Sequence, residues 1–293
     1  MESINERYID RSNGEYNLLV KSGDSVEIPA IDYYFDNVII EENAHLIISE
    51  NSENWVLIDC RQNFTLNGSI TFRKFIADSS LRELVVNGVS YKHQFKIDNL
   101  GGNGGNSGFT EGNLKFNGAF GTANYGGGAG AGGFWSRRIG FSHGAHGNQN
   151  IGGVTSFSYG GNGPERKKYS NGGMLFLNIG HDFLIGANNL IDLQGEDGEN
   201  GLEGKEGSGS ISSASYITGS GGGGGAPGGE GGVFYHRVAG NYSGAVLKTL
   251  VNGGKGGKGG IGGRYPESRF PSCNGLNGQD GERGRSGFVK VVR

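Results

Sequence analysis

The sequence predicts an all-β protein in two parts: a β-solenoid or sandwich over residues 1–100, then, over 101–293, a glycine-rich bundle of polyglycine II helices interleaved with short β-strands. Three observations predict it. Short apolar runs recur at spacings of about 8–12 residues through the first hundred positions. Of 61 glycines, only Gly14, Gly23, Gly68 and Gly88 lie in residues 1–100; the other 57 crowd the remainder. In that remainder glycine falls at every third position in places, and apolar runs return between the glycine blocks. Long helices are excluded, because each interior helix glycine costs about 1 kcal/mol against alanine. Collagen is excluded too: the chain has 5 prolines, and a triple helix needs proline at ~15–20%.

Taken in order, the predicted strands of the first part are Asn17–Val20, Ser25–Ile28, Phe35–Ile40, His45–Ser49, Trp55–Asp59, Asn63–Leu66, Ser69–Phe72, Glu83–Val86 and Gln94–Ile97. Turn residues separate them, among them Asn67-Gly68, Asn87-Gly88 and Glu41-Glu42-Asn43. Phe35-Asp-Asn-Val-Ile-Ile, Ala44-His-Leu-Ile-Ile and Asn63-Phe-Thr-Leu-Asn-Gly-Ser-Ile repeat one idea, a brief apolar run followed by a polar corner. That repetition favours a solenoid; a sandwich gives a similar pattern and stays open. In the second part, strands are expected at Met174–Ile179, Phe183–Ile185, Leu190–Leu193, Val233–Tyr235, Ala245–Leu247 and Phe288–Val292. Phe183-Leu-Ile-Gly-Ala-Asn-Asn-Leu-Ile-Asp-Leu parallels Phe64-Thr-Leu-Asn-Gly-Ser-Ile-Thr-Phe, a weak internal repeat that argues for one continuous architecture.

The glycine blocks occupy about 101–173, 194–232 and 252–287. Ordering glycine is costly in backbone entropy, at about 1–2 kcal/mol per residue. The blocks are therefore either disordered linker or a regular lattice of contacts. Polyproline II geometry has three residues per turn and no internal hydrogen bonds, so its peptide groups must bond to neighbouring segments. Close backbone approach then requires glycine on each packed face. Gly195-Glu-Asp-Gly-Glu-Asn-Gly-Leu-Glu-Gly and Gly275-Leu-Asn-Gly-Gln-Asp-Gly-Glu-Arg-Gly suit an outer layer. Gly221–Gly225 and Gly253-Gly-Lys-Gly-Gly-Lys-Gly-Gly suit inner positions.

Segments that interrupt the glycine are rich in aromatic and basic residues, the composition of protein-binding loops. The candidate receptor-binding set is Phe109, Phe116, Phe134, Trp135, Arg137, Arg138, Phe141, His143, His146, Tyr159, Tyr169, Tyr216, Tyr265, Arg269 and Phe270. The plainer alternative is that such side chains plug the edges of a glycine lattice. His143 and His146 are three apart but have no carboxylate or cysteine beside them, so no metal site is expected. Asp182, Asp192, Glu196 and Asp197 offer carboxylates for glycoside hydrolysis, but nothing separates them from solvated corners. No phosphate-binding motif has a strand–loop–helix setting, and neither an enzyme nor a cofactor is expected.

Formal net charge is −3, split as 9 basic against 16 acidic residues in 1–100 and 17 against 13 thereafter. Neither part has the basic face that nucleic acid requires. Cys60 and Cys273 form no metal or redox motif, and a disulfide between them stays open. The first residues show neither a basic n-region nor an apolar h-region, so no secretory signal is expected. No run approaches the length of a membrane span.

Strand phrases such as Phe35-Asp-Asn-Val-Ile-Ile and Phe64-Thr-Leu-Asn-Gly-Ser-Ile, followed by glycine blocks that break and resume, resemble bacteriophage tail-fibre and receptor-binding proteins. The glycine half is similar to the small adhesins at the tips of T-even-type long tail fibres. This likeness covers 101–293 by texture, without a shared short motif, and residues 1–100 depart from it. It implies polyglycine II helices presenting loops to a host cell-surface glycan or outer-membrane protein. The missing secretory signal agrees with a virion location; the adhesin expectation adds contacts with other virion tail proteins through residues 1–100 and leaves a homo-oligomer open. Rival expectations are a structural fibre or surface-filament protein assembling through β edges, a tailspike-like depolymerase, and an ice-binding protein.

Overall fold

The computed structural model describes most of residues 4–94, short strand pairs within 109–116 and 154–159, and most of 170–201, 224–262 and 277–292. The described residues are strand-rich, with one short 3-10 turn, Glu6–Tyr8, and no α-helix among them. After β1 (Ile9–Asp10) come β2 (Asn17–Val20), β3 (Ser25–Pro29), β4 (Tyr33–Phe35), β5 (Val38–Ile40), β6 (His45–Ser49), β7 (Trp55–Cys60), β8 (Phe64–Leu66) and β9 (Ser69–Phe72). From β2 onward they visit three sheets in fixed rotation: β2, β5 and β8 in the first, β3, β6 and β9 in the second, β4 and β7 in the third. Neighbours within each sheet run parallel, as Leu18↔Val38↔Phe64 and Ser25↔His45↔Ser69 show.

An excursion then carries β10 (Phe75–Ile76), β11 (Leu81–Val86), β12 (Val89–Gln94), β13 (Phe109–Glu111), β14 (Leu114–Phe116), β15 (Val154–Thr155), β16 (Ser158–Tyr159) and β17 (Ser170–Asn171). The rotation resumes with β18 (Met174–Ile179), β19 (Phe183–Ile185) and β20 (Leu190–Asp192) in the third, first and second sheets. It resumes again after residue 232 with β21 (Val233–Val238), β22 (Tyr242–Gly244) and β23 (Thr249–Leu250), and ends with β24 (Phe288–Val291) in the third sheet. Every long excursion thus leaves from a second-sheet strand and returns to the third sheet. The two parallel phrases of the sequence lie on adjacent strands in register, Phe183↔Phe64 and Ile191↔Ile70.

Alternation puts one apolar face of each sheet into a shared interior. Leu18, Val38, Phe64 and Phe183 join Ile28, Ile48 and Ile70 of the second sheet and Phe35, Ile58, Leu177 and Phe234 of the third in a single buried cluster. In the middle of the third sheet β18 is covered on both faces, and all six of its residues are buried. Its outer face carries Leu57, Met174, Phe176, Val233 and Tyr235, covered by Leu84, Val86 and Tyr91 of the β11–β12 hairpin. Tyr91 stands 5.0 Å from both the Phe176 and the Tyr235 ring centroids.

Three expected strands are divided or placed elsewhere, and several others start or end one to three residues away. Phe35–Ile40 is two strands, because Phe35 and Val38 both enter the same core although three positions apart, and a single pleated strand would turn them to opposite faces. Asp36 and Asn37 form the corner between them, with Asp36 N donating to Tyr16 O at 2.8 Å. Instead of Ala245–Leu247, the strands are β22 and β23 on either side, since Gly244 at φ +97° ends the extended path before Ala245. The hairpin strand is Val89–Gln94, not Gln94–Ile97, and residues 95–97 lie outside the described set.

Polar side chains stitch the corner ahead of the first sheet. Asn17 Oδ1 accepts Asn37 N at 3.0 Å, Asn37 Oδ1 accepts Asn63 N at 3.2 Å, Asn63 Oδ1 accepts Asp182 N at 3.2 Å, and Asp182 Oδ1 accepts Asn241 N at 2.8 Å. Four glycine-rich segments outside the sheets bond to one another with a period of three. Gly195, Gly198 and Gly201 donate to the carbonyls of Asn252, Lys255 and Lys258; Ala226, Gly229 and Gly232 donate to those of Glu199, Glu196 and Leu193. Gly228 and Gly231 donate to Glu282 and Arg285, Gly254 and Gly257 to Gly229 and Ala226, and Gly281, Gly284 and Gly287 to Gly257, Gly254 and Val251. Among the described residues, the glycine-dense segments 224–232 and 252–262 each bond to all three others, whereas the triplet segments 194–201 and 277–287 bond only to those two.

Candidate functional site

Three of the fifteen candidate receptor-binding residues fall on described backbone. Phe109 and Phe116 are cross-strand partners in the β13–β14 hairpin, and Tyr159 pairs with Val154 in β15–β16. Phe134, Trp135, Arg137, Arg138, Phe141, His143, His146, Tyr169, Tyr216, Tyr265, Arg269 and Phe270 lie outside the described residues.

Another set of side chains converges where the third sheet turns into the first. Tyr16, Tyr34, Phe35, Asp36, Asp59 and Arg61 line a cavity of about 310 Å³. Its base is the buried Phe35 ring, stacked on Tyr16 at 5.5 Å and 17°. Tyr34 and Asp59 are register partners on β4 and β7, pointing away from the core, with Tyr34 62% exposed. Asp36 is buried, and its Oδ2 accepts the Tyr16 N–H at 2.7 Å while Oδ1 accepts Arg61 Nε at 2.7 Å. The Tyr16 backbone N–H, followed by the Arg61 guanidinium, holds the Asp36 carboxyl below the ordinary carboxylate range. Partial burial, with Asp32 and Asp59 nearby, raises the Tyr34 phenol. Asp59 Oδ1 accepts Asn178 Nδ2 at 3.2 Å, and Asn178 Oδ1 accepts Arg237 Nη1 at 3.2 Å. One polar row therefore crosses β4, β7, β18 and β21 on the part of the third sheet beyond the hairpin.

No protein-family model, curated protein or solved structure matches this chain. Function must therefore be argued from the residues themselves.

Sequence reading did not single out this corner. Tyr34 on β4 and the Asp59/Arg61 pair at the end of β7 come from successive rotations of the chain, and the parallel register brings them together. The signal available was Tyr33-Tyr34, two adjacent aromatics of which an alternating strand buries one and exposes the other.

Of the carboxylates considered for catalysis, Asp182 Oδ1 accepts Asn241 N at 2.8 Å, Asp197 Oδ1 accepts Lys255 N at 2.7 Å and Asp192 Oδ1 accepts Gln194 N at 3.0 Å. These are backbone-stitching roles. Among the described residues no group of three or more His, Cys, Asp or Glu side chains is placed to hold a metal ion. Cys60 is buried, with its Sγ–H near the carbonyls of Asn63 at 3.2 Å and Asp36 at 3.4 Å, and burial pushes the thiol up to about 12. Cys273 lies outside the described residues. No helix among the described residues is long and apolar enough to cross a membrane.

Proposed function

We propose that this protein is a phage tail receptor-binding adhesin. In this reading a three-faced parallel β-solenoid carries a bundle of polyglycine II helices, and loops at the rod ends attach the virion to a host cell-surface glycan or outer-membrane protein. The carrying observation is the period-three hydrogen bonding among four glycine-rich segments that leave and return at one corner of the sheets. A helix with three residues per turn presents the same face to its neighbour at every third residue. At about 3.1 Å per residue, the stretch from Gln194 to Gly201 reaches ~20 Å from its strand. Residues 202–223 and 263–276 join the rods, and they carry Tyr216, Tyr265, Arg269 and Phe270. Such a scaffold supports the adhesin reading because binding residues concentrate on loops held by rigid frames.

The test is binding of the purified full chain to a panel of bacterial cells, before and after exchange of segments 134–146 and 264–271. Adhesion should be lost or redirected by the exchanges; adhesion that survives both removes the loop assignment.

A specific observation favours a second reading, a structural fibre assembling through β edges. All three residues of β22 and all four of β24 are exposed, including Phe288, Val289 and Val291. Filaments at micromolar concentration, visible by negative-stain microscopy, would favour this reading over the adhesin.

A further inference from the structure

The cavity at the third-to-first-sheet corner lies outside the loops of the adhesin reading and does not depend on that reading. Its lining combines functions that a single small ligand can use together. Tyr34 offers an aromatic face, 62% exposed, beside a carboxylate on the neighbouring strand. Phe35 and Tyr16 supply an apolar base, their rings 5.5 Å apart. A volume of about 310 Å³ sits at the lower end of the ~300–1,000 Å³ usual for small-molecule sites.

Charge narrows the ligand class. The lining holds two carboxylates and one guanidinium, and the guanidinium is committed to Asp36. Asp59 opposes an anionic ligand and is itself answered through Asn178 by Arg237, so a cationic ligand finds no unanswered charge in the wall. Asp59 is acceptor-only when ionised, with several lone-pair positions beyond the one that Asn178 Nδ2 occupies. The lining therefore fits a neutral molecule with an apolar face and several hydroxyl donors. The side chains are held in advance: Asp36 by Tyr16 N and Arg61, and Asp59 through Asn178 by Arg237. Little ordering is left for a ligand to impose.

We propose that Tyr16, Tyr34, Asp36, Asp59 and Arg61 form a binding site for a neutral hexose, with the Tyr34 ring against the C–H face of the sugar and the Asp59 carboxylate accepting from its hydroxyls. The hexose is either a free monosaccharide or one unit of a longer glycan, and the shared chemistry is the same.

The experiment titrates the full chain with the methyl glycosides of glucose, galactose and mannose and with their neutral trisaccharides, by calorimetry and saturation-transfer NMR. Sialic acid and glucosamine serve as charged probes. Saturable binding of at least one neutral probe is expected, tighter for trisaccharides if a chain glycan is the natural occupant and equal if a monosaccharide is. Tyr34→Ala and Asp59→Asn should each weaken it by about tenfold or more, and Tyr34→Phe should keep it. Because Tyr34 is largely exposed, Tyr34→Ala should leave the melting curve unchanged, so its loss of binding reports on the site even if Asp59→Asn fails to fold. Absence of saturable binding by any neutral probe, preference for a charged probe, or unchanged affinity in Tyr34→Ala would overturn the proposal.

Discussion

Asn63 Oδ1 accepts the backbone N–H of Asp182 at 3.2 Å across 119 positions of chain. The whole first excursion, with the β11–β12 hairpin and most of the candidate receptor-binding residues, is inserted between these two partners. Asn63 Nδ2 plays no part in this bond; what the position requires is a short side chain carrying an acceptor. Asn17, Asn37 and Asp182 meet the same requirement on the other rotations.

Asn63→Ala removes the acceptor for a backbone N–H in a partly buried corner, which should cost about 1–2 kcal/mol. Asn63→Asp keeps the acceptor, as Asp182 does natively, and should lose less. Urea titration followed by far-UV circular dichroism separates the two; equal losses would mean that the corner does not depend on this bond.

Glycine at the inner segments is required by distance. A Cβ on Gly257 would lie well inside contact with the Glu199 carbonyl oxygen, a backbone atom that cannot swing aside. Gly257→Ala should therefore destabilise by about 2–3 kcal/mol through overpacking. Lys258→Ala, at the exposed neighbouring position, should stay within about 0.5 kcal/mol. Thermal melts of the pair check this, and a tolerated Gly257→Ala would mean that the segments are not packed as described.

Much of the fold was legible because each rotation writes its own short apolar phrase. Phe64–Leu66 and Phe183–Ile185 resemble each other in sequence and stack in register. Corners were less legible: nothing in Phe35-Asp-Asn-Val announces a change of sheet except the spacing of its two buried residues. The cavity at Tyr34, Asp59 and Arg61 was not legible, since it depends on register between strands some 25 positions apart.

Glu230 lies where a glycine-rich segment rejoins the third sheet, its backbone N–H donating to Asn171 Oδ1 at 2.7 Å. Burial raises its carboxyl to about 7, outweighing the more exposed Arg285 guanidinium 3.5 Å away. A folded-state value above the unfolded one means that the neutral acid is favoured by folding. That stabilisation is full below the unfolded value of about 4.3 and lost as pH rises through 7. Glu230→Gln should flatten this dependence, making the protein more stable than wild type at pH 8 by about 2–3 kcal/mol at most. Melting temperatures from pH 4 to 8 test it; parallel curves for the two proteins would exclude burial as the dominant effect.

The two ends of the sheet stack differ. At one end β1 runs antiparallel to β2, matching Ile9 to Leu18, and the Glu6–Tyr8 turn lays buried Tyr8 over the core with Ile4. An antiparallel strand with a 3-10 turn across the core interrupts the parallel ladder, so another chain cannot continue it. At the other end β22 and β24 carry exposed residues and no such cover among the described residues. Removing residues 1–11 should therefore open the interior at Leu18 and Val20 and leave an uncapped edge at that end. Sedimentation velocity of the truncated chain should show large, concentration-dependent species where the full chain does not. A truncated chain that stays at the full chain's oligomeric state up to about 100 μM, with its melting temperature unchanged, would mean that the first strand is not a cap.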